Sequence, residues 1–285
     1  MDSAALEKVL DLPVESVHTT PYEYRTSHSL EVVDVLLRDG NTMELLLKHL
    51  GRSGLDANAR LAKPEHLHEP LREIEAYGVL EHAKLGTATC YAAGPDWLLL
   101  EKVRGVELWQ VGDMAVWANV ARWLSRMHRL FSGQQLTAPH FIDYEASLFR
   151  RWVADATARE PRLKQVADRC SRAIELLQSQ TRTLVHGEFY PSNVLVTGER
   201  VVAVDWEMTG TGPGVLDLAA LITGLPAADL ETVVAAYGDA GVIEIDAARL
   251  LLAAHWIGRA GWTPPLDHAR DWFREAAEAA ERLET

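Results

Sequence analysis

Residues 184–221 read LVHGEFYPSNVLVTGERVVAVDWEMTGTGPGVLDLAAL, and this stretch decides the fold. His186, Glu188, Asn193 and Asp205 fall within twenty residues. Two short apolar runs, Val194–Val196 and Val201–Val204, flank Thr-Gly-Glu-Arg, the pattern of a β-hairpin. Asp205 stands at the end of the second run, so a loop carrying Glu188 and Asn193 leads into a hairpin that ends on an acid. Phosphoryl transfer calls for such a set: one acid to orient the attacking hydroxyl, and an Asn and an Asp to hold Mg²⁺ against phosphates. Mg²⁺ takes few protein oxygens, with phosphates and waters completing its octahedron, so Asn193 and Asp205 are the expected metal ligands. Glu207, two residues on, falls on the same face as Asp205 and is a further candidate near the metal or the acceptor.

The order of these elements resembles the aminoglycoside phosphotransferase and choline kinase family, protein-kinase-like enzymes that phosphorylate small molecules. The family's H-G-D with an Asn five residues after the acid is matched by His186-Gly187-Glu188 and Asn193. Its hydrophobic-D-W-E is matched by Val204-Asp205-Trp206-Glu207, and its Gly-to-D-L-A element by Gly214–Ala219. Glu188 departs from the pattern, standing where the family has Asp. The resemblance implies an α+β, two-lobed fold. A small antiparallel-sheet lobe, residues 1–101, would bind nucleotide, and a mainly helical lobe, residues 102–285, would carry catalysis and the acceptor.

Upstream, residues 14–50 alternate like a small antiparallel sheet, with strands over Leu30–Leu37 and Met43–Leu50 joined at Arg38-Asp39-Gly40-Asn41. Pro70–Leu80 reads as a helix and Trp97–Val103 as a strand. Downstream, Val116, Trp117, Val120, Ala121, Leu124, Met127 and Phe131 make one apolar helical stripe, and Leu163, Val166, Cys170, Ile174 and Leu177 another. Further helices are expected near 228–237, 246–257 and 267–283, with Asp246 and Asp267 as N-caps.

Lys48, ending an apolar strand, is placed to hold the α and β phosphates, or else to snorkel at a strand end. The resemblance makes Glu73, within Arg72-Glu73 followed by Tyr77, its partner in preference to Glu75. It also places the Thr26–Ser29 loop over the phosphates, through Ser27 and Ser29, and the backbone of Glu101 to Val103 against the nucleotide base. Tyr190, Trp256 and Trp262 are candidates for the acceptor pocket. His186 is expected to pack behind the hairpin rather than act as a base, and Asp217 to brace the catalytic loop.

With 285 residues, 48% of them hydrophobic, the chain can build two lobes around a cleft. Its net charge of −13 argues against nucleic acid or an anionic membrane as a partner. From Asp205 onward there are fourteen acids, five Arg and no Lys, a net −9, which suggests either solvated helix faces or an acidic pocket for a cationic acceptor. The acidic N-terminus lacks the features of a signal peptide, and Cys90 and Cys170 lack metal or disulfide spacing, so a cytoplasmic protein is expected. The leading reading is transfer of the γ-phosphoryl of ATP or GTP, with Mg²⁺, to a hydroxyl of a small, cationic acceptor such as an aminoglycoside or other antibiotic. The alternative, prompted by Glu188 and a phosphate loop without glycine, is a pseudokinase that binds ligand without turnover. A metal-dependent hydrolase is disfavoured, because no second His lies at ligand spacing.

Overall fold

The computed structural model describes residues 2–22, 28–55, 57–63, 65, 67–238, 240–259 and 271–283. Helix α1 (Ser3–Leu10) is capped by Asp2, whose carboxylate accepts the Ala5 N–H at 2.8 Å. Strands β1 (Val14–Pro21), β2 (Ser29–Leu37) and β3 (Thr42–His49) follow as an antiparallel meander. The β2–β3 turn falls at the expected place: Gly40, at φ +85°, supplies the left-handed backbone that a Cβ would resist. Helices α2 (Ala57–Ala62) and α3 (Pro70–Ala83) come next, the second begun by a proline at its first turn. Strands β4 (Cys90–Ala93) and β5 (Trp97–Glu101) complete a five-stranded sheet of order β1-β2-β3-β5-β4.

Period-two alternation gives this sheet two apolar faces. Val33, Val35, Leu45, Leu47 and Leu99 pack with Leu6 of α1. Leu46, Leu98 and Leu100 belong with Ala76, Tyr77 and Leu80 of α3 to the core that continues into the helical part. Lys48 sits in β3 opposite Leu30 on one side and Leu98 on the other, so its ammonium is carried on the central strand of the sheet.

After β6 (Val106–Glu107) the chain is mainly helical: α4 (Met114–Phe131), α5 (Ala146–Arg159) and α6 (Ala167–Gln178), with the short strand β7 (Ile142–Asp143) before α5. Strand β8 (Arg182–Val185) leads to the catalytic-loop segment, then to the hairpin β9 (Val194–Thr197) and β10 (Arg200–Ala203), and to β11 (Gly210–Pro213). Helices α7 (Val215–Leu221), α8 (Ala227–Tyr237), α9 (Val242–Gly258) and α10 (Trp272–Arg282) follow. Helix α9 packs against α5, α6, α7 and α10, and every residue from Ile245 to His255 except Arg249 is buried.

Several boundaries differ from the sequence reading. The strand expected to reach Val103 ends at Glu101. The second stripe is split: Leu163 and Val166 lie in a 3₁₀ turn over Pro161–Val166, and the α-helix starts at Ala167. Asp246 is not an N-cap. Helix α9 starts four residues earlier, after Gly241, because Val242 and Ile243 continue it as exposed apolar residues that no amphipathic pattern reveals. Asp246 instead lies buried, paired with Arg282 at 2.9 Å and Arg249 at 3.5 Å. Asp271, not Asp267, caps the last helix by accepting the Arg274 N–H at 3.0 Å; Asp267 lies outside the described residues.

Strand β11 is held between β7, parallel to it, and β8, antiparallel. A Cβ at Gly210 would overlap the Ile142 carbonyl oxygen, which backbone pairing prevents from moving away. Gly210→Ala should therefore lower the unfolding free energy in a denaturant titration by about 2–4 kcal/mol, through overpacking in a closed sheet.

Candidate active site

Three elements meet at one ammonium. Lys48 Nζ lies 2.8 Å from Glu73 Oε1 and 2.7 Å from Oε2 on α3, and 2.5 Å from Asp205 Oδ1 just beyond β10. Lys48 and Glu73 are nearly inaccessible, whereas the Asp205 side chain is 23% exposed and so opens towards solvent. Burial pushes the Lys48 ammonium down, but Asp205 and Glu73 more than offset this and hold it charged, well above its ordinary value. Burial raises Glu73. The same burial acts on Asp205, but Lys48 and Lys63 hold it below the usual carboxylate value. Glu73 also accepts the Trp206 N–H at 3.3 Å, which fastens α3 to the turn that follows Asp205. Glu75, the other candidate on α3, pairs with His140 at 2.6 Å instead.

Asp205 itself adopts the left-handed conformation, φ 66° and ψ 60°, which aspartate tolerates better than most residues. Below it, the catalytic loop is built on buried hydrogen bonds. Asp217, at the start of α7, accepts the N–H groups of His186 at 2.7 Å and Gly187 at 2.9 Å, with His128 Nε2 at 3.1 Å from the same carboxylate. His186 Nε2 donates to the Val204 carbonyl at 3.0 Å, and its Nδ1 accepts the Glu188 N–H at 3.3 Å. Both ring nitrogens are thus committed to backbone, and burial holds the imidazole below its usual value, so it stays neutral and structural. Gly187, at φ +85°, lies where a Cβ would overlap Tyr144 Oη and the Met208 carbonyl. Asn193 Nδ2 donates to the Glu188 carbonyl at 2.9 Å, which leaves Oδ1 as the free end of the amide.

Glu207 is the third acid. It lies 3.0 Å from His28 Nε2 and 2.5 Å from Lys63 Nζ, and its carbonyl accepts from Arg72 Nη1 at 2.7 Å. Burial acts against its charge, but Lys63 and His28 hold its carboxyl well below the usual range. Glu188 is different. Burial pushes it up, and Arg259, with Nη2 2.8 Å from Oε1, offsets this only in part, so it remains above its ordinary value. Arg259 lies over Trp256, with the guanidinium carbon 4.3 Å from the ring centroid. Trp256 Nε1 donates to Tyr190 Oη at 2.5 Å, and the indole stacks on Trp272.

Lys48, Glu73, Asn193, Asp205, Glu207 and Glu188 are thus joined through direct bonds or shared partners, and Tyr190 and Trp256 adjoin Glu188 through Arg259. Ser29 lies elsewhere, lining an open depression of about 270 Å³ with His49, Gly51, Ser53, Gly54 and Asp96. Ser27 and Trp262 lie outside the described residues. The Glu101 N–H is already taken by the Thr89 carbonyl at 2.8 Å, and its carboxylate by Arg200 at 2.5 Å. Of the expected base-contacting backbone, only Lys102 and Val103 keep free geometry past the strand end, and Val103 packs on the core. Sequence reasoning missed Arg259, Lys63, His28 and Arg72 as members of the site. Lys63 and His28 lie in irregular segments with no periodicity to read. Arg259, just past a helix, looks like an ordinary complement to the helix dipole.

The donor set suits Mg²⁺: hard oxygens from one carboxylate and one amide, with room for phosphates on the exposed side of Asp205. Among the described residues no group of three His, Cys, Asp or Glu side chains could hold a metal unaided.

Residues 35–253 match the phosphotransferase enzyme family. The chain belongs to that family. Solved structures share the fold of this phosphotransferase at low identity. A choline kinase from Streptococcus pneumoniae aligns over 99% of this chain and 98% of its own, with TM-score 0.62 and 14% identity. The macrolide 2'-phosphotransferase of Brachybacterium faecium aligns over 93% and 97%, with TM-score 0.59 and 17% identity. The ternary complex of streptomycin, ATP and APH(2")-IIa aligns over 98% and 96%, with TM-score 0.54 and 14% identity. A comparison with curated protein sequences finds no match. Among the described residues, no helix of the phosphotransferase is long and apolar enough to cross a membrane.

Removing the shared cation should strand two acids. Lys48→Met is expected to lower the unfolding free energy of the ligand-free phosphotransferase by about 3 kcal/mol, the scale for breaking a buried ion pair from one side. Adding Glu73→Gln should restore part of that loss, and a double-mutant cycle measures the coupling.

Proposed function

We propose that the protein transfers the γ-phosphoryl group of ATP or GTP to a hydroxyl of a small acceptor. The supporting observation is the Lys48 ammonium shared between Glu73 and Asp205, beside Asn193 and a braced loop that presents Glu188, in a chain of the phosphotransferase enzyme family. The nucleotide would lie between residues 1–101 and 102–285. Lys48 would pass from Asp205 to the α and β phosphates. Asp205 and Asn193 would hold Mg²⁺, which when bound neutralises charge on the phosphates. Glu188 takes the proton of the acceptor hydroxyl. The hydroxyl oxygen forms the new bond to the γ-phosphorus, the bond from that phosphorus to the β–γ bridging oxygen breaks, and the nucleoside diphosphate leaves with the electron pair.

The acidity of the chain favours a cationic acceptor, such as an aminoglycoside or a related amine. The choline kinase and streptomycin-bound neighbours fit that refinement by name. Around Glu188 the balance differs, because Arg259 already supplies a cation there.

A second reading, a pseudokinase that binds ligand without turnover, has one specific observation in its favour: Glu188 replaces the family's Asp and is ion-paired within the chain. Activity separates the two. Calorimetry should detect ATP or GTP binding with Mg²⁺, and absence of both at millimolar concentration would contradict the kinase reading. Asp205→Ala should abolish metal-dependent turnover in a folded protein.

Glu188→Gln should lower kcat by about 10²–10⁴-fold with little change in nucleotide affinity, the usual scale of general-base help. Glu188→Asp should also be slower, because Glu188 reaches Arg259 with a side chain one C–C bond longer, roughly 1.5 Å. An Asp variant faster than wild type would mark Glu188 as a decayed position.

A further inference from the structure

Arg259 is more than a counter-ion for Glu188. A guanidinium carries five N–H donors in one plane, and an arginine that pairs with a carboxylate frequently engages both oxygens with two of them. Here one N–H, from Nη2, meets one oxygen, Glu188 Oε1, at 2.8 Å. Nε is buried and has no hydrogen-bond partner among the described residues. The side chain is 9% exposed and that of Glu188 12%, so this half-used fork is not a solvated surface group.

Nor is the fork loosely held. It lies over Trp256, the guanidinium carbon 4.3 Å from the ring centroid, and Trp256 is fixed by its bond to Tyr190 and by a stack on Trp272 with ring centroids 5.6 Å apart and planes 10° from parallel. A cation built into an aromatic wall, with one buried donor left unsatisfied beside the acid that receives the hydroxyl, is a group that an oxygen anion would complete. An ammonium brought to the same place would meet like charge from Arg259, and the Lys63 charge also acts on Glu188.

The acids that make the C-terminal part so negative are largely used elsewhere. Asp217 braces the loop, Asp246 and Glu275 pair with Arg249, and Glu278 and Glu281 are exposed on α10.

We propose that Arg259 is a specificity residue that binds a carboxylate or phosphate on the acceptor, so that the acceptor is a hydroxy acid or a hydroxy phosphate rather than an amine. The inference rests on the phosphotransferase reading of Glu188. Because Arg259 touches Glu188, the reacting hydroxyl lies only a few bonds from the anionic group. On binding, the guanidinium turns from Glu188 and presents its unsatisfied Nε–H together with a second N–H to the oxyanion, and Glu188, relieved of its ion pair, accepts the hydroxyl.

The test is calorimetry on the full-length protein with Mg-ADP present, using glycerate and malate as carboxylate probes, glycerol 3-phosphate as the phosphate probe, and ethanolamine and choline as amines. At least one anion should bind tenfold or more tightly than either amine, and the better arm tells carboxylate from phosphate. Arg259→Ala should weaken that anion at least tenfold, and Arg259→Lys, which keeps the charge but not the fork, should recover only part. In nucleotide-consumption assays the Arg259→Ala loss should fall on KM more than on kcat. Amines binding as tightly as the anions, no binding by any anion, or an Arg259→Ala protein with unchanged anion affinity would overturn the proposal. Binding of Mg-ATP, measured first on the same sample, involves Lys48 and Asp205 rather than Arg259. Its failure would therefore count against the kinase reading and not against the anion site.

Discussion

The shared ammonium of Lys48 is the contact on which the cleft depends. It joins β3, α3 and the residue after β10, which are 25 and 157 positions apart along the chain from Lys48. Burial disfavours the ionised form of each. The two acids hold the Lys48 ammonium charged, Lys48 and Lys63 hold Asp205 below its ordinary value, and burial leaves Glu73 above its own. Glu73 adds a hydrogen bond from Trp206 that ties α3 to the far side of the cleft. A charge cluster of this kind contributes little net stability, because desolvation offsets attraction. What it provides is a position: a cation and a carboxylate held 2.5 Å apart on the open side of the cluster. An arriving metal-nucleotide complex can separate such a pair, as phosphate takes the ammonium and the metal takes the carboxylate.

The catalytic loop is made rigid by a different device. Buried Asp217 collects two successive backbone N–H groups, and His186 spends both ring nitrogens on backbone. Glycines at 187 and 210 allow Tyr144, Met208 and Ile142 to approach where side chains would clash. The acid that this frame presents is a glutamate, and its extra length is taken up by Arg259. The longer side chain reaches the guanidinium that lies over Trp256.

The fold was legible wherever the chain is regular. The hairpin at 194–203, the β2–β3 turn at Gly40 and the helix behind Glu73 carry their signals in local periodicity and turn chemistry. Lys48, Asn193, Asp205 and Glu207 could be picked out because motif spacing fixes them relative to those elements. Boundaries failed where exposed apolar residues extended a helix, as at Val242, or where a 3₁₀ turn imitated helical spacing, as at Leu163. Arg259, Lys63 and His28 were invisible for a deeper reason. Arg259 and Lys63 reach the site from segments with no motif of their own, His28 stands in the expected phosphate loop but not at the serines read there, and long-range charge pairing leaves no periodic trace. The count of acids after Asp205 has the same limit, because a sum of charges says nothing of which ones face Glu188.

The most direct test of the central claim is a crystal structure with Mn²⁺ and a non-hydrolysable ATP analogue, read by the anomalous signal of the metal. The account predicts a metal peak bonded to Asp205 and to Asn193 Oδ1, with Lys48 Nζ moved from Asp205 onto a phosphate oxygen while keeping Glu73. A nucleotide bound with no metal at Asp205, or with Lys48 still paired to Asp205 and no phosphate contact, would contradict it.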